Sequence, residues 1–195
     1  EVDEKSLKEA EDKIDGIKNF AVKALGAIGI GFSLSQMNAL AEEFNGINDQ
    51  IRNATSALGD QKDIQAKIMQ SANDTKMAYA DTAKVVGALV QENKELFSNI
   101  DEAIAFNDAL VKTFKTAGKS NEEIAGLMEA VNKSFAKGKV DTETLNQLME
   151  QSPEAVAYLN KQLGSTTDQL EQLAADGRIS LADLKEAFVS NMDDI

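Results

Sequence analysis

The chain has 195 residues, of which 43% are hydrophobic and 27% charged, and its 20 Lys and Arg against 33 Asp and Glu give a formal net charge of −13. That supply of apolar side chains suits one packed domain, alone or with an appendage, and argues against disorder, while the acidic balance argues against nucleic acid and anionic membrane surfaces, both of which attract basic protein. Cysteine and histidine are absent, which excludes disulfides, thiolate chemistry, the commonest general base and both usual zinc ligands.

The first segment carries Leu7, Ala10, Ile14, Ile17, Ala21, Ala24 and Ile28 in alternating steps of three and four. That spacing fits a coiled-coil seam for a second chain or an amphipathic helix packed on the rest of this one. Gly26, Gly29 and Gly31 then break or bend it, within the most apolar run of the chain, ALGAIGIGFSL from Ala24 to Leu34. This run is far shorter than the roughly 20 residues that cross a bilayer, and the acidic sequence before it does not fit a signal peptide. The chain starts at Glu1 without a methionine and stops just after a helix, at Asp193-Asp194-Ile195, so it reads as a piece of something larger.

Ser33 or Ser35 is expected to cap a helix through Met37, Leu40, Ala41, Phe44, Ile47, Ile51 and Ala54, before a loop at Leu58-Gly59-Asp60. Ile64, Ile68 and Met69 line the next helix, which Asn73-Asp74-Thr75 ends. Ala80 to Phe97 reads as another, with Ala83, Val86, Val90 and Phe97 on its buried side, and Asn99 to Ala117 as the one after, closed by Gly118. Beyond this point the punctuation is denser. Ser120 and Glu123 form a capping box, Gly138 ends that helix, Asp141 caps a short one, and Ser152-Pro153 restarts the chain with proline where its missing N–H costs nothing. Gly164 stops that helix, Ser165 or Thr166 caps the next, Gly177 stops it, and Ser180 with Asp183 opens the last.

No stretch alternates with period two, so no sheet is expected. The fold class is all-α: a compact domain of short capped helices, residues 33–195, preceded by a longer N-terminal helix and Gly-rich joint, residues 1–32. The runs GKVDTETL (Gly138 to Leu145) and GRISLADL (Gly177 to Leu184) form a weak repeat, which shared capping chemistry explains adequately.

Two chemistries are tempting. The segment ADGRISLADL looks like half of a calcium-binding helix–loop–helix, but the ligand positions around Gly177 fall on Gln172, Ala174, Asp176 and Asp183, and those around Gly138 on Lys133, Phe135, Lys137 and Thr144. Paired carboxylates such as Glu42-Glu43, Glu122-Glu123 and Asp193-Asp194 read as solvated surface. The Met residues at 37, 69, 77, 128, 149 and 192 read as scattered core positions. No catalytic, cofactor-binding or metal-ligating residue is therefore expected, and the chain reads as non-enzymatic.

From Gly138 to Asn191 the sequence resembles a folded domain of phage and prophage tail tape-measure proteins. The family's glycine–lysine–hydrophobic step, L-N-Q-L run and E-Q-x-P turn are matched by Gly138-Lys139-Val140, Leu145-Asn146-Gln147-Leu148 and Glu150-Gln151-Ser152-Pro153, and its later steps by Leu163-Gly164 and Gly177-Arg178-Ile179-Ser180 with Leu184. Upstream, Asn53-Ala54-Thr55-Ser56 and Gly118-Lys119-Ser120-Asn121-Glu122-Glu123 fall in the right order; Glu154 departs, since many relatives have glycine after the proline. The resemblance implies a structural role in tail assembly and tail-length determination. It also implies partners among tail proteins (tube, tail assembly chaperones, tail tip or baseplate), and a location in the virion tail and, during assembly, the host cytoplasm. Self-association through residues 7–28, no nucleic acid, no membrane span and no cofactor complete the expectation. The alternative is a helical protein-binding module of another large surface or secreted protein.

Overall fold

Nine helices and one two-residue ladder make up residues 34–56 and 58–191, the part of the chain that the computed structural model describes, with side chains described from Asn45 onward. The heptad segment at 7–28, the glycine joint, Ser33, Met192 and the Asp193-Asp194 pair lie outside the described residues, as do the side chains of Met37, Leu40, Glu42, Glu43 and Phe44. Ser35 lies inside the first helix.

The helices are α1 (Leu34–Thr55), α2 (Gln61–Thr75), α3 (Tyr79–Glu92), α4 (Ile100–Thr116) and α5 (Asn121–Lys137), then α6 (Thr142–Gln151), α7 (Pro153–Leu163), α8 (Thr167–Ala175) and α9 (Leu181–Val189). Most starts are fixed by a side chain that accepts from an otherwise free backbone N–H of the first turn. Asp60, Asn99, Ser120, Asp141, Ser152, Thr166 and Ser180 all do this, and Ser120/Glu123, Thr166/Gln169 and Ser180/Asp183 complete reciprocal capping boxes. Between Ser165 and Thr166, it is the threonine that caps α8. Lys76 ends α2 in the left-handed region at φ 53°, and the Asn121 side-chain amide donates to its carbonyl at 2.9 Å.

Two expectations need correction. The helix read from Ala80 to Phe97 stops at Glu92, where Asn93 turns to φ −140° and the N–H groups of Leu96 and Phe97 both bond its carbonyl, at 3.0 Å each. Phe97 is fully buried all the same, carried by this one-turn knot instead of by α3. The chain is also not wholly without strands. Lys139–Val140 (β1) pairs antiparallel with Ile179–Ser180 (β2), Val140 opposite Ile179. Two residues are too few to show an alternating pattern.

Packing centres on α3, which touches α1, α2, α4 and α5, while α9 returns to cover α4 and α7. α1 approaches α3 closely at Gly87, where an added Cβ would sit 3.1 Å from Ile51 Cδ1. The core is mostly Ile, Leu, Val and Ala around one aromatic cluster. Phe106 lies 5.8 Å from Phe97, 5.4 Å from Phe135 and 6.2 Å from Phe188, ring centre to ring centre, with Tyr158 a further 6.0 Å from Phe188. These rings come from α4, α5, α7, α9 and the knot after α3, so a single core ties both halves of the domain together.

Candidate functional site

The two repeated runs meet in space. Each belongs to a helix–loop–helix unit, α5–β1–α6 or α8–β2–α9, in which a left-handed glycine (Gly138, φ 76°; Gly177, φ 65°) ends one helix. A buried β residue (Val140 or Ile179) follows, and a capped helix begins. The repeat is thus more than similar capping, because its two copies supply the two strands of the ladder.

Their ligand-position side chains are committed elsewhere. Asp176 Oδ1 accepts from Gln172 Nε2 at 3.0 Å, and Asp183 Oδ2 accepts from the Ser180 N–H and hydroxyl at 2.9 and 2.6 Å. Ala174 and Phe135 are buried, Lys133 pairs with Glu129 at 3.1 Å, and Thr144 accepts from Ser134 Oγ at 2.8 Å. Lys137 donates to Asp141 Oδ2 at 2.5 Å, and that bond, with the Thr144 backbone N–H, holds the Asp141 carboxyl down at about 2. Among the described residues no group of three or more Asp or Glu is placed to hold a metal ion.

Other titratable groups have structural surroundings too. In the Glu122-Glu123 pair, Glu122 is exposed, and the N–H and hydroxyl of Ser120 hold the Glu123 carboxyl below its usual range. Burial pushes the Asp108 carboxyl up, while hydrogen bonds from Ser71 Oγ at 2.5 Å and Asn107 Nδ2 at 3.1 Å pull the other way. Tyr79 donates to Asn48 Oδ1 at 2.6 Å, and burial lifts its phenol to about 12. Lys185 on α9 is a node that composition alone does not reveal. Its ammonium bonds Glu102 Oε2 at 2.7 Å and the Leu96 carbonyl at 2.8 Å, and lies 5.1 Å from the centre of the Phe97 ring.

A groove of about 400 Å³ lies between α3, α4 and α5. Met77, Val85, Val111 and Met128 give it apolar walls, and Asp81, Lys84 and Glu129 lie along it. Asn132, also on its wall, has a buried Oδ1 that accepts no hydrogen bond among the described residues. Gly126 opens one side: nothing lies within 4 Å of where its Cβ would be. A glycine inside a helix costs about 0.5–1 kcal/mol relative to alanine, and no neighbour in the described domain requires one here. Met77 and Met128, whose sequence positions suggest core alone, pack on the core but also face this groove. The signal that could have found it is Gly126, placed within an otherwise strong amphipathic helix. No helix among the described residues is long and apolar enough to cross a membrane.

Comparison with known proteins yields consistent similarities. The family described as "Tape measure protein" matches residues 35–195. The chain is 26% identical over 170 residues to "Mu-like prophage FluMu protein gp42" of Haemophilus influenzae, covering 85% of this chain and 26% of that protein. It is 25% identical over 202 residues to a "Tape measure protein" of Lactococcus phage F4-1, covering 94% of this chain and 53% of the relative. A "Probable tape measure protein" of Lactococcus phage p2 is 26% identical over 149 residues, 72% of this chain and 14% of its own length. The chain therefore spans about half or less of these curated relatives. No solved structure matches it significantly.

Proposed function

Because this chain belongs to the tape measure protein family, we propose that it is a folded structural segment of a phage tail ruler, taking part in tail assembly and in setting tail length through the longer protein that carries it. The observation that carries this reading is the family match over residues 35–195, which coincides with the domain of capped helices starting at Leu34. The same coincidence supports a boundary near residue 33, with residues 1–32 as a helix and joint leading into the domain.

A ruler made of continuous helix advances about 1.5 Å per residue. Short helices broken by left-handed glycines at 118, 138, 164 and 177 do not add length in that way. The domain is therefore a fixed body attached to the ruler, non-catalytic and without a cofactor. Its partners are tail proteins (tube, tail assembly chaperones, tail tip or baseplate) and further copies of itself through residues 7–28. Nucleic acid is not among them, and the domain resides in the virion tail after assembly in the host cytoplasm.

In-frame deletion of residues 34–191 from the parent phage tests this by electron microscopy of lysates. The expected result is loss of tails, or short malformed ones, beside normal heads. Normal infectious tails would overturn the role in assembly. Intact tails uniformly shorter by about 240 Å, the length of 158 residues of helix, would make the segment part of the ruler itself.

A further inference from the structure

We infer that Asp108, with Ser71 and Asn107, forms a proton-sensitive clasp between α2 and α4, which holds α2 more tightly when the Asp108 carboxyl is neutral. α2 packs on α3 and α4, and two polar contacts tie it to α4. At the exposed edge, Lys67 lies 2.9 Å from Asp101. Further in, Ser71, only 2% exposed, donates to Asp108 Oδ1 at 2.5 Å, and Asn107, 1% exposed, donates to the same oxygen at 3.1 Å. Both donors are neutral, and among the described residues no lysine or arginine forms an ion pair with this carboxyl. A half-buried carboxylate held by neutral donors alone keeps part of its desolvation cost.

The charges around the clasp do not make up for that cost. Asp74, three residues beyond Ser71 on α2, repels the carboxylate across the interface, and Lys112, one turn further along α4, attracts it without pairing. Beyond Asn107, the groove adds Asp81 and Lys84 of α3 and Glu129 of α5, again more acid than base. Burial is the largest influence on Asp108 and raises its pKa above the ordinary 3.8, against the two hydrogen bonds and Lys112. Among the described residues Oδ2 accepts no hydrogen bond, so a proton bound there leaves both bonds to Oδ1 in place. The sign follows from the raised value. Docking of α2 favours the protonated acid, so the interface tightens as the pH falls toward 3.8 and loosens as it rises to neutrality.

The test is amide hydrogen exchange on the full 195-residue chain, unaltered and as Asp108→Asn, from pH 7 to pH 4.5. Asparagine keeps the acceptor for Ser71 and Asn107 but carries no charge, so it stands in for the protonated acid. At pH 7 protection of the α2 amides should rise by roughly threefold or more in the variant. α8, which packs on α6 and α7, should not change. As the pH falls, the unaltered chain should approach the variant; the Lys67 contacts are common to both and cancel in the comparison. Asp74→Asn should give part of the same gain at pH 7. Lower α2 protection in Asp108→Asn, or a gain that persists undiminished at pH 4.5, would overturn the clasp. An equal gain in α8 would mean general stabilisation and overturn it as well.

Discussion

Phe106→Ala should be the most damaging single truncation in the domain, and its effect can be estimated from the ring cluster. Phe106 is fully buried and meets three other phenylalanines with centres 5.4 to 6.2 Å away. Removing a buried phenylalanine side chain costs about 3–5 kcal/mol, and lost edge and tilted ring contacts place this site toward the upper end. A domain of this size has about 5–15 kcal/mol in all, so the variant should fold but unfold at roughly 2 M less urea, for a slope of about 2 kcal/mol per molar. Phe106→Leu, which keeps most of the volume, should lose clearly less. Urea titration can be followed by far-ultraviolet circular dichroism and by tyrosine fluorescence. The two tyrosines, Tyr79 on α3 and Tyr158 on α7, report on opposite halves of the chain. One coincident transition with a loss near 4 kcal/mol is expected. A loss under about 2 kcal/mol, or separate transitions, would refute the idea that this cluster joins the halves into one cooperative unit.

Three other perturbations test separate parts of the structure. Gly87→Ala gains about 0.5–1 kcal/mol of helix propensity but places a methyl 3.1 Å from Ile51 Cδ1, so thermal melting should show no gain; a higher melting temperature would mean that α1 yields easily. Asp141, whose side chain is 24% exposed, titrates near 2 instead of 3.8, so the stability it provides is present above pH 4 and lost as the pH falls from about 4 to 2. Asp141→Asn keeps an N-cap acceptor and should lower stability at pH 7 by about 1–2 kcal/mol while flattening that acid limb, and an unchanged limb in acid titrations would contradict the assignment. Lys185→Met removes the Glu102 pair, the Leu96 carbonyl bond and the Phe97 contact, and should cost about 1–2 kcal/mol. Hydrogen exchange should quicken at Leu96 and Phe97 but not in α2; equal acceleration everywhere would argue against a local role.

What could be read in the sequence was the chemistry that acts within three or four residues. Ser120, Asp141, Ser152 and Ser180 announce helix starts because the serine or aspartate and the N–H it accepts from are three positions apart. Glycines at 118, 138, 164 and 177 announce stops for the same local reason. Asn93 was missed because the stretch from Gln91 to Phe97 contains neither glycine nor proline, and Phe97 kept helical spacing across the break. Asp60 sits in a loop by its sequence context, yet its carboxylate caps α2. The ladder joins residues 41 positions apart in the Lys139–Ser180 pair, beyond the reach of any local pattern. The groove is still less legible, because three helices build it and only Gly126 hints at it. Family likeness is sharpest from Gly138 onward in the sequence, whereas the family match extends from residue 35 to 195.

The aromatic cluster also has a consequence for synthesis. Phe97, Phe106 and Phe135 lie in the first 135 residues, but Phe188, whose ring meets that of Phe106 edge-on, comes 53 residues after Phe135. At about 5–20 residues per second, roughly 3–10 s pass between making the last of the three early rings and making Phe188. During that interval the three early rings lack the one that completes their cluster. Polypeptides released before Leu181 lack Phe188 altogether and leave the cluster one ring short.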